Sequence, residues 1–237
     1  MHKLVAIAVL TLCVLAHFPF RTGGEEGRSD SESAGHVDFT YDDRDFVESN
    51  ASIRSFDTAW AAAFSAFPPE QPERGLYRPV TTLSYAIDYA LFADDARGYH
   101  GVNVGLYLVI VLLVFALANR WFDNARVAFA AALVFAVHPV HCEAVDSISG
   151  RSELLSLGFG LASWLLFDLA TQRGNRRSSL AIGSAFLYAC ASLSKETGVL
   201  LPAVFVLHLL ARDGAPAGFG AFVRKALEHT SLHIGIA

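Results

Sequence analysis

The stretch GVNVGLYLVIVLLVFALA, residues 101–118, decides the fold class of this chain, because no other block without a charged residue is as long. A transmembrane helix needs about 20 consecutive, mostly apolar residues, so this block predicts a helix that crosses a bilayer. Shorter apolar blocks follow at 127–137, 154–169, 180–193 and 199–211. Blocks of this length also occur as buried helices of soluble proteins. They are long enough to cross a bilayer only if their polar flanking residues lie in the membrane interface. Their succession favours an all-α bundle of membrane-spanning helices.

The composition supports a multi-span membrane protein with one sizeable polar loop. Of the 237 residues, 53% are hydrophobic and 17% are charged, whereas an average soluble domain has about 25% charged residues. Residues 21–58 are acidic and polar and account for most of the net charge of −5, which gives no sign of nucleic-acid binding. The three cysteines are scattered, so no disulfide framework or CxxC site is predicted.

The two ends of the chain add a first span and a possible later one. His2-Lys3 precedes an apolar run that resembles a signal peptide, but no small-residue cleavage site follows it, which favours an uncleaved signal anchor. His229 to Ala237 turns apolar again, so we expect a fragment or a truncated gene product. The predicted organisation is a first span at 1–20, an outer or lumenal loop at 21–98, spans two to six at 99–211, and a cytoplasmic segment at 212–237.

The basic residues orient these six spans. If the N-terminus lies in the cytoplasm, Arg151 and Lys195 are the only basic residues in the outer loops between the later spans. This distribution satisfies the positive-inside rule. The loop 21–98, the segment 138–151 and Ser194–Thr197 then share the outer side. The cytoplasmic basic residues are Lys3, Arg120, Arg126, Arg173, Arg176, Arg177, Arg212, Arg224 and Lys225.

Two helices are predicted inside the outer loop. The first covers Ile53 to Phe67, because its apolar residues recur every three or four positions. An aromatic stripe with a polar back suits a helix that lies in the membrane interface. A helix packed on its own domain explains the same spacing equally well. The second helix opens at Arg78-Pro79, since proline is favoured in a first helical turn, and Asp94-Asp95 ends it.

Five motifs, in this order, resemble a known family. They are Tyr41-Asp42-Asp43, YRPVTTLSY from Tyr77, GYHGVN from Gly98, HPVHCEAVDSISGRSELL from His138 and LSKETG from Leu193. Over roughly residues 35–211 they resemble the N-terminal membrane region of the TMTC proteins (transmembrane and tetratricopeptide-repeat O-mannosyltransferases) and their bacterial relatives, in the GT-C class of glycosyltransferases. This chain departs from the family by having no repeat of about 34 residues and by carrying Cys142 where threonine is common.

The resemblance implies an enzyme that transfers a sugar, expected to be mannose, from a polyprenyl-phosphate donor to a Ser/Thr hydroxyl of a protein acceptor. It implies a multi-pass protein of the bacterial inner membrane or of the endoplasmic reticulum, with lipid and protein partners and no nucleic acid. A truncated, non-catalytic membrane scaffold is the alternative. A transporter with His138, Glu143 and Lys195 as intramembrane relays is a third hypothesis.

The chemistry needs a carboxylate that takes the acceptor proton and cations that stabilise the leaving phosphate. By resemblance, Asp42 or Asp43 occupies the catalytic acidic position, and the sequence leaves open which of them is the base. Arg78, Arg151 and Lys195 are predicted to hold the phosphate, because arginine suits bidentate contacts and lysine supplies a point charge. The other predicted substrate-binding residues are His100, His138, His141, Glu143 and Glu196.

Each of these predictions has a simpler alternative. Lys195 would instead pair with Glu196, and Arg151 with Glu143, Asp146 or Glu153. The pattern His138-x-x-His141 with Glu143 suggests a metal site. Pro139 disturbs that geometry, however, and no third ligand follows at a standard spacing, so neither a metal nor any other cofactor is favoured.

Overall fold

The computed structural model describes residues 42–68, 72–171, 178–213 and 224. The predicted first span and the predicted end segment lie outside these residues, apart from Arg212, Asp213 and Arg224. Within the described part the chain is helical, with one isolated antiparallel bridge between Phe67 and Leu76, so the predicted all-α class is confirmed. The α-helices are α1 (Phe56–Ala62), α2 (Pro79–Phe92), α3 (Ala96–Phe122), α4 (Ala125–Val137), α5 (Cys142–Asp146), α6 (Arg151–Thr171), α7 (Ser178–Ser194) and α8 (Leu201–Asp213).

Two helical segments of the described part are long and apolar enough to cross a membrane: Ala96–Phe122, with 27 residues, and Ile148–Thr171, with 24. A third span results if Ala125–Val137 and Pro139–Asp146, which meet at a bend of 51°, are counted as one. Helices α7 and α8 have 17 and 13 residues, below the typical span of about 20. The described residues therefore contain two or three clear spans.

The spans pack through small residues and reciprocal hydrogen bonds. Ala128, Ala132 and Ala136 recur every four residues on α4 and are fully buried, which allows close approach to the neighbouring helix α3. Between α6 and α7, the Ser163 hydroxyl donates to the Ser184 carbonyl at 2.7 Å and the Ser184 hydroxyl to the Ser163 carbonyl at 2.8 Å. These contacts fix the helix pairs without requiring large side chains between them.

At one end of the bundle, here called the far end, a buried carboxylate connects three helices. Asp168 on α6 accepts a hydrogen bond from Arg120 Nε of α3 at 2.8 Å and lies 3.0 Å from His208 Nε2 of α8. Arg212 approaches the same carboxylate at 3.7 Å. The cluster ties three helices together and places Arg120 and Arg212 at one end, as the predicted alternation of spans requires.

The opposite end, here called the site end, is covered by the segment that precedes α3. Helix α2 packs on α3, α6 and α7 there, and the Thr81 hydroxyl donates to the Ser194 carbonyl at 3.0 Å. A small core fills the space beneath α1 and α2. Its fully or nearly fully buried members are Phe46, Val47, Ile53, Ala59, Phe67, Tyr85, Ala86, Ala96, Tyr99 and Ile148.

The predicted helix from Ile53 to Phe67 is wrong at both ends, whereas α2 starts at Pro79 as predicted. Ser55 caps α1 by accepting the Thr58 N–H at 3.2 Å, so Ile53 falls in the preceding 3₁₀ turn. The helix ends at Ala62, so Phe67 lies beyond it. Only these two outer members of the aromatic and aliphatic stripe are buried in the core.

Two motif glycines are required by close backbone approach. A Cβ on Gly150 would lie 2.3 Å from the Ala144 carbonyl oxygen, and one on Gly198 would lie 2.6 Å from the backbone of Ala191. Real Cβ atoms do not approach backbone so closely. The chain at Gly150 folds back against α5, and the chain at Gly198 folds back against α7. Both close approaches require glycine, because a larger residue would clash with the backbone.

We predict that Gly150→Ala lowers the free energy of unfolding by about 1–3 kcal/mol, as overpacking generally does. Gly105→Ala is the matched control, since a Cβ there meets nothing within 4 Å and alanine is favoured over glycine in a helix by roughly 0.5–1 kcal/mol. Thermal unfolding of the detergent-solubilised protein measures both variants. Equal melting temperatures for the two would contradict the packing described here.

Candidate active site

The adjacent carboxylates of Asp42 and Asp43 have different surroundings. Asp43 is 1% exposed, and its Oδ1 accepts the Ser149 N–H at 2.7 Å and the Ser147 hydroxyl at 3.1 Å. Asp42 is exposed to solvent. The structure therefore anchors Asp43 to the connection between α5 and α6, a contact that no sequence pattern predicted, and leaves Asp42 exposed at the site end.

The connection that holds Asp43 is itself supported by α2 and α3. The Tyr85 hydroxyl donates to the Ile148 carbonyl at 2.9 Å, and the Asn103 amide donates to the Ser147 carbonyl at 2.8 Å. Burial raises the pKa of Tyr85, so its hydroxyl stays protonated and remains a donor. We call residues 147–150, which bind Asp43 on one side and these two residues on the other, the serine corner.

Arg151 follows the serine corner and is 1% exposed. Its guanidinium pairs with Asp88 on α2 at 2.7 Å, and it donates to Asn103 Oδ1 at 2.5 Å and to the Tyr99 carbonyl at 2.9 Å. Burial raises the pKa of Asp88, and the charge of Arg151 opposes that rise. The Arg151 guanidinium is therefore already hydrogen-bonded and ion-paired within the protein. Its predicted contact with a phosphate stays a prediction, and that contact would require these partners to rearrange.

The alternative partners expected for Arg151, namely Glu143, Asp146 and Glu153, were wrong. Those three acids are close to Arg151 in the sequence, whereas its actual partner, Asp88, lies on the distant helix α2. Asp88 lies outside all five motifs, so sequence reasoning missed it. One signal was present: Asp88 is the one charged residue of α2 and lies three residues after the buried Tyr85, and a buried charge needs a partner.

Two further cations lie at the site end in ion pairs that are partly exposed. Arg78 donates to both carboxylate oxygens of Glu196 at 3.1 and 2.9 Å, and to the Ser152 hydroxyl at 3.4 Å. Lys195 pairs with Glu153 on α6, so the expectation that it pairs with Glu196 was wrong. The α2 start, the α6 start and the turn after α7 therefore converge.

The charges of these pairs influence one another. Burial, and then the nearby Arg78 guanidinium, lower the pKa of Lys195. Burial of Glu196 alone would raise its pKa, but the hydrogen bonds from Arg78 outweigh that effect and hold the pKa of Glu196 below its usual value. Glu196 therefore stays ionised, and Arg78 and Lys195 form two close positive groups at a surface that solvent reaches.

The histidines have separate environments. His138 is exposed, and its Nδ1 accepts the Val140 N–H at 3.2 Å, which caps the turn after α4. The His141 ring packs on Phe135 with 4.2 Å between ring centres. His100 is buried on the first turns of α3, and neither ring nitrogen has a hydrogen-bond partner within the described structure. A substrate contact by these residues, or by the exposed Glu143, stays a prediction.

The described residues 42–68, 72–171 and 178–213 contain no group of three or more His, Cys, Asp or Glu side chains placed to hold a metal ion. The rings of His138 and His141 lie 5.9 Å apart, centre to centre. The chemistry that this end of the molecule offers comes from an exposed carboxylate and two cations on a rigid support.

We predict that Arg151→Ala destabilises the fold by about 3–5 kcal/mol, because it leaves the buried Asp88 carboxylate without a partner. Combining Asp88→Asn with Arg151→Met should recover much of this loss, since no uncompensated charge remains. Arg126→Ala, at an exposed position, is the control and should change stability by less than about 0.5 kcal/mol. Denaturant unfolding in detergent gives these values, and additive effects of the two substitutions would argue against the pair.

Comparison with known proteins places this geometry in a family. A family model described as dolichyl-phosphate-mannose-protein mannosyltransferase matches residues 74–220. This match includes Arg78, the serine corner, Arg151 and Lys195, and it begins after Asp42 and Asp43. No solved structure matches the chain.

Curated relatives agree with the family match. A protein O-mannosyl-transferase of Caenorhabditis elegans is 31% identical over 194 residues, which cover 77% of this chain and 26% of the relative. TMTC3 of Mus musculus is 34% identical over 140 residues, covering 59% and 15%, and tmtc2 of Xenopus laevis is 33% identical over 188 residues, covering 73% and 22%. Both carry the name protein O-mannosyl-transferase. The chain spans about a quarter or less of these relatives.

The family match covers more than half of the chain and includes most residues of the site end. The resemblance to TMTC proteins that the five motifs predicted is therefore confirmed. The chain is a membrane protein that belongs to the dolichyl-phosphate-mannose-protein mannosyltransferase family.

Proposed function

We propose that this chain is the membrane module of a glycosyltransferase that moves mannose from a polyprenyl-phosphate donor to a Ser or Thr hydroxyl of a protein. One observation carries the proposal: hydrogen bonds and ion pairs join Asp43, Arg78, residues 147–153 and Lys195-Glu196 at the site end. The names of the curated relatives support the reaction class.

Arg78 and Lys195 bind the donor phosphate in this proposal. Each already pairs with a carboxylate, Glu196 or Glu153, at a partly exposed position. A phosphate has the same bidentate geometry that Arg78 uses for Glu196, so it can replace that carboxylate without moving the guanidinium. The two side-chain cations then stabilise the charge of the leaving phosphate without a metal ion.

Asp42 is the general base. Its carboxylate is exposed, so an acceptor hydroxyl can reach it, whereas the Asp43 carboxylate is enclosed by the serine corner. The acceptor proton passes to Asp42 as the hydroxyl oxygen bonds to the anomeric carbon. The bond from that carbon to the phosphate oxygen breaks, and the polyprenyl phosphate leaves with the electron pair. Asp43 positions Asp42 through the backbone they share.

The site faces the outside of a bacterial cell or the lumen of the endoplasmic reticulum. We propose six spans with the N-terminus in the cytoplasm. The far end then lies at the cytoplasmic side, where Arg120 and Arg212 satisfy the positive-inside rule. Lys195 follows the end of α7, and the side chains of His138 and of Glu143 on the short helix α5 are exposed; in our proposal these residues belong to a surface site rather than to the relays of a transporter.

We predict that Asp42→Asn reduces the rate of mannose transfer by roughly 10²–10⁴-fold, the usual contribution of a general base, and leaves the melting temperature unchanged. Asp57→Asn, which alters another exposed acid of the same segment, should keep full activity. The assay follows labelled mannose from dolichyl phosphate mannose to a Ser/Thr peptide, with the chain in membranes. Full activity of Asp42→Asn would exclude Asp42 as the base, and full activity of Asp43→Asn as well would exclude the acidic pair altogether.

We predict that Arg78→Ala weakens the binding of dolichyl phosphate mannose by roughly 10- to 100-fold, from the loss of charged hydrogen bonds worth about 1.5–3 kcal/mol. Arg78→Lys should recover only part of this, because lysine lacks the bidentate fork. Glu196→Gln removes the competing carboxylate and should keep or increase the affinity. The ligand-induced shift of the melting temperature measures binding without requiring turnover. Equal affinities for all four proteins would place the phosphate elsewhere.

A further inference from the structure

Asn103, near the start of α3, makes two contacts with the chain that leads into α6. Its side chain is fully buried. The amide nitrogen donates to the Ser147 carbonyl at 2.8 Å, and the amide oxygen accepts Arg151 Nε at 2.5 Å. One side chain therefore bridges the first residue of the serine corner and the buried arginine that follows the corner.

The residue that receives the Asn103 amide is also a residue that binds Asp43. The Ser147 hydroxyl donates to Asp43 Oδ1 at 3.1 Å, and the Ser149 N–H donates to the same oxygen at 2.7 Å. The two serine hydroxyls lie 2.6 Å apart, which links them in one network. The position of the Asp43 carboxylate therefore depends on how the serine corner is held against α3.

The cations of the site end meet the same chain immediately after Arg151. The Ser152 hydroxyl accepts Arg78 at 3.4 Å, and Glu153 pairs with Lys195. The short stretch from the serine corner to the first turn of α6 thus contacts both the acidic pair and the two cations. Its placement sets the distance between them.

An asparagine amide suits both neighbours. A guanidinium has only donors and a backbone carbonyl only accepts, so the bridge needs one acceptor and one donor on the same side chain. Aspartate at this position would turn an acceptor toward the Ser147 carbonyl, and leucine would leave both neighbours without this partner. A longer glutamine would have to displace packed atoms, because the position is fully buried.

We propose that Asn103 is a positioning residue for the transfer reaction, which fixes the acidic pair relative to the cations that bind the donor phosphate. It acts through Ser147 and Asp43 rather than through contact with a substrate. Misplacement of a reacting group by 1 Å costs about 10²-fold in rate. Loss of the amide therefore lowers kcat. This proposal rests on the proposed function, in which the acidic pair and the cations are the reacting and binding groups.

The variant Asn103→Leu tests this role in the full chain, in membranes. We expect kcat for mannose transfer from dolichyl phosphate mannose to a Ser/Thr peptide to fall roughly 10²-fold. The donor KM and the donor-induced shift of the melting temperature should stay at their wild-type values, because Arg78 and Lys195 keep their own carboxylate partners. Asn119→Leu, at the other end of α3 and partly exposed, is the matched control and should change none of these quantities.

Amide hydrogen exchange tests the positioning without requiring catalysis. The Ser149 N–H, which binds Asp43, should exchange about 10-fold faster in Asn103→Leu, the effect of one lost hydrogen bond. Exchange in α7 and α8 should stay unchanged. Asn103→Asp removes the donor to Ser147 but keeps an acceptor for Arg151, so it should show the same local increase. This variant replaces Asn103→Leu if the latter does not fold.

A double-mutant cycle separates positioning from a purely structural role. Adding Asn103→Leu to Asp43→Asn should slow transfer no further, since both substitutions break the same connection. A full multiplication of the two losses would overturn the proposal. So would unchanged exchange at Ser149, or an equal increase of exchange in all the described helices. If the wild-type chain transfers no mannose, the proposed function fails, and the exchange measurement still decides whether Asn103 holds the acidic pair in place.

Discussion

The buried guanidinium of Arg151 is the group on which the site end depends. A buried ion pair is costly unless further hydrogen bonds satisfy its charges. Here Arg151 pairs with Asp88, and its guanidinium also donates to Asn103 and to the Tyr99 carbonyl. Because these partners come from α2 and α3, the pair fixes the start of α6 against both helices. Asn103 then also holds the serine corner, and the serine corner holds Asp43.

The two ends of the bundle use polar groups differently. At the far end, Asp168 is enclosed and its partners from α3 and α8 satisfy both oxygens, which suits a fixed link between helices. At the site end, Arg78 and Lys195 sit in pairs whose carboxylates are about half exposed. Exposed pairs contribute little to stability, so a ligand can displace their carboxylates at small cost. This asymmetry favours the site end as the place where a phosphate binds.

The acidic pair is tied to the start of α3, the longest apolar helix of the described residues. The ion pair between Arg54 and Asp94 holds α1 beside the start of α3, and the core beneath α1 extends to the turn that carries Asp43. A lipid-linked donor presents its phosphate at the bilayer surface. In the proposed function, the acidic pair and the two cations at the end of the bundle where α3 begins meet both the donor phosphate and a water-soluble acceptor.

The sequence by itself determined the all-α class, most of the helix positions beyond residue 78 and the family, because long apolar blocks and ordered motifs are local features of the chain. Lys195 and Arg151 were conspicuous as charges between apolar blocks. Asp42, Asp43 and Arg78 were singled out through the motifs that carry the family resemblance. Only the tertiary structure decided their partners. Asp88 for Arg151, Glu153 for Lys195 and the serine corner for Asp43 are 42 or more residues away in sequence. Long-range packing, which no local spacing encodes, brings these groups together and leaves Asp42 exposed while it buries Asp43.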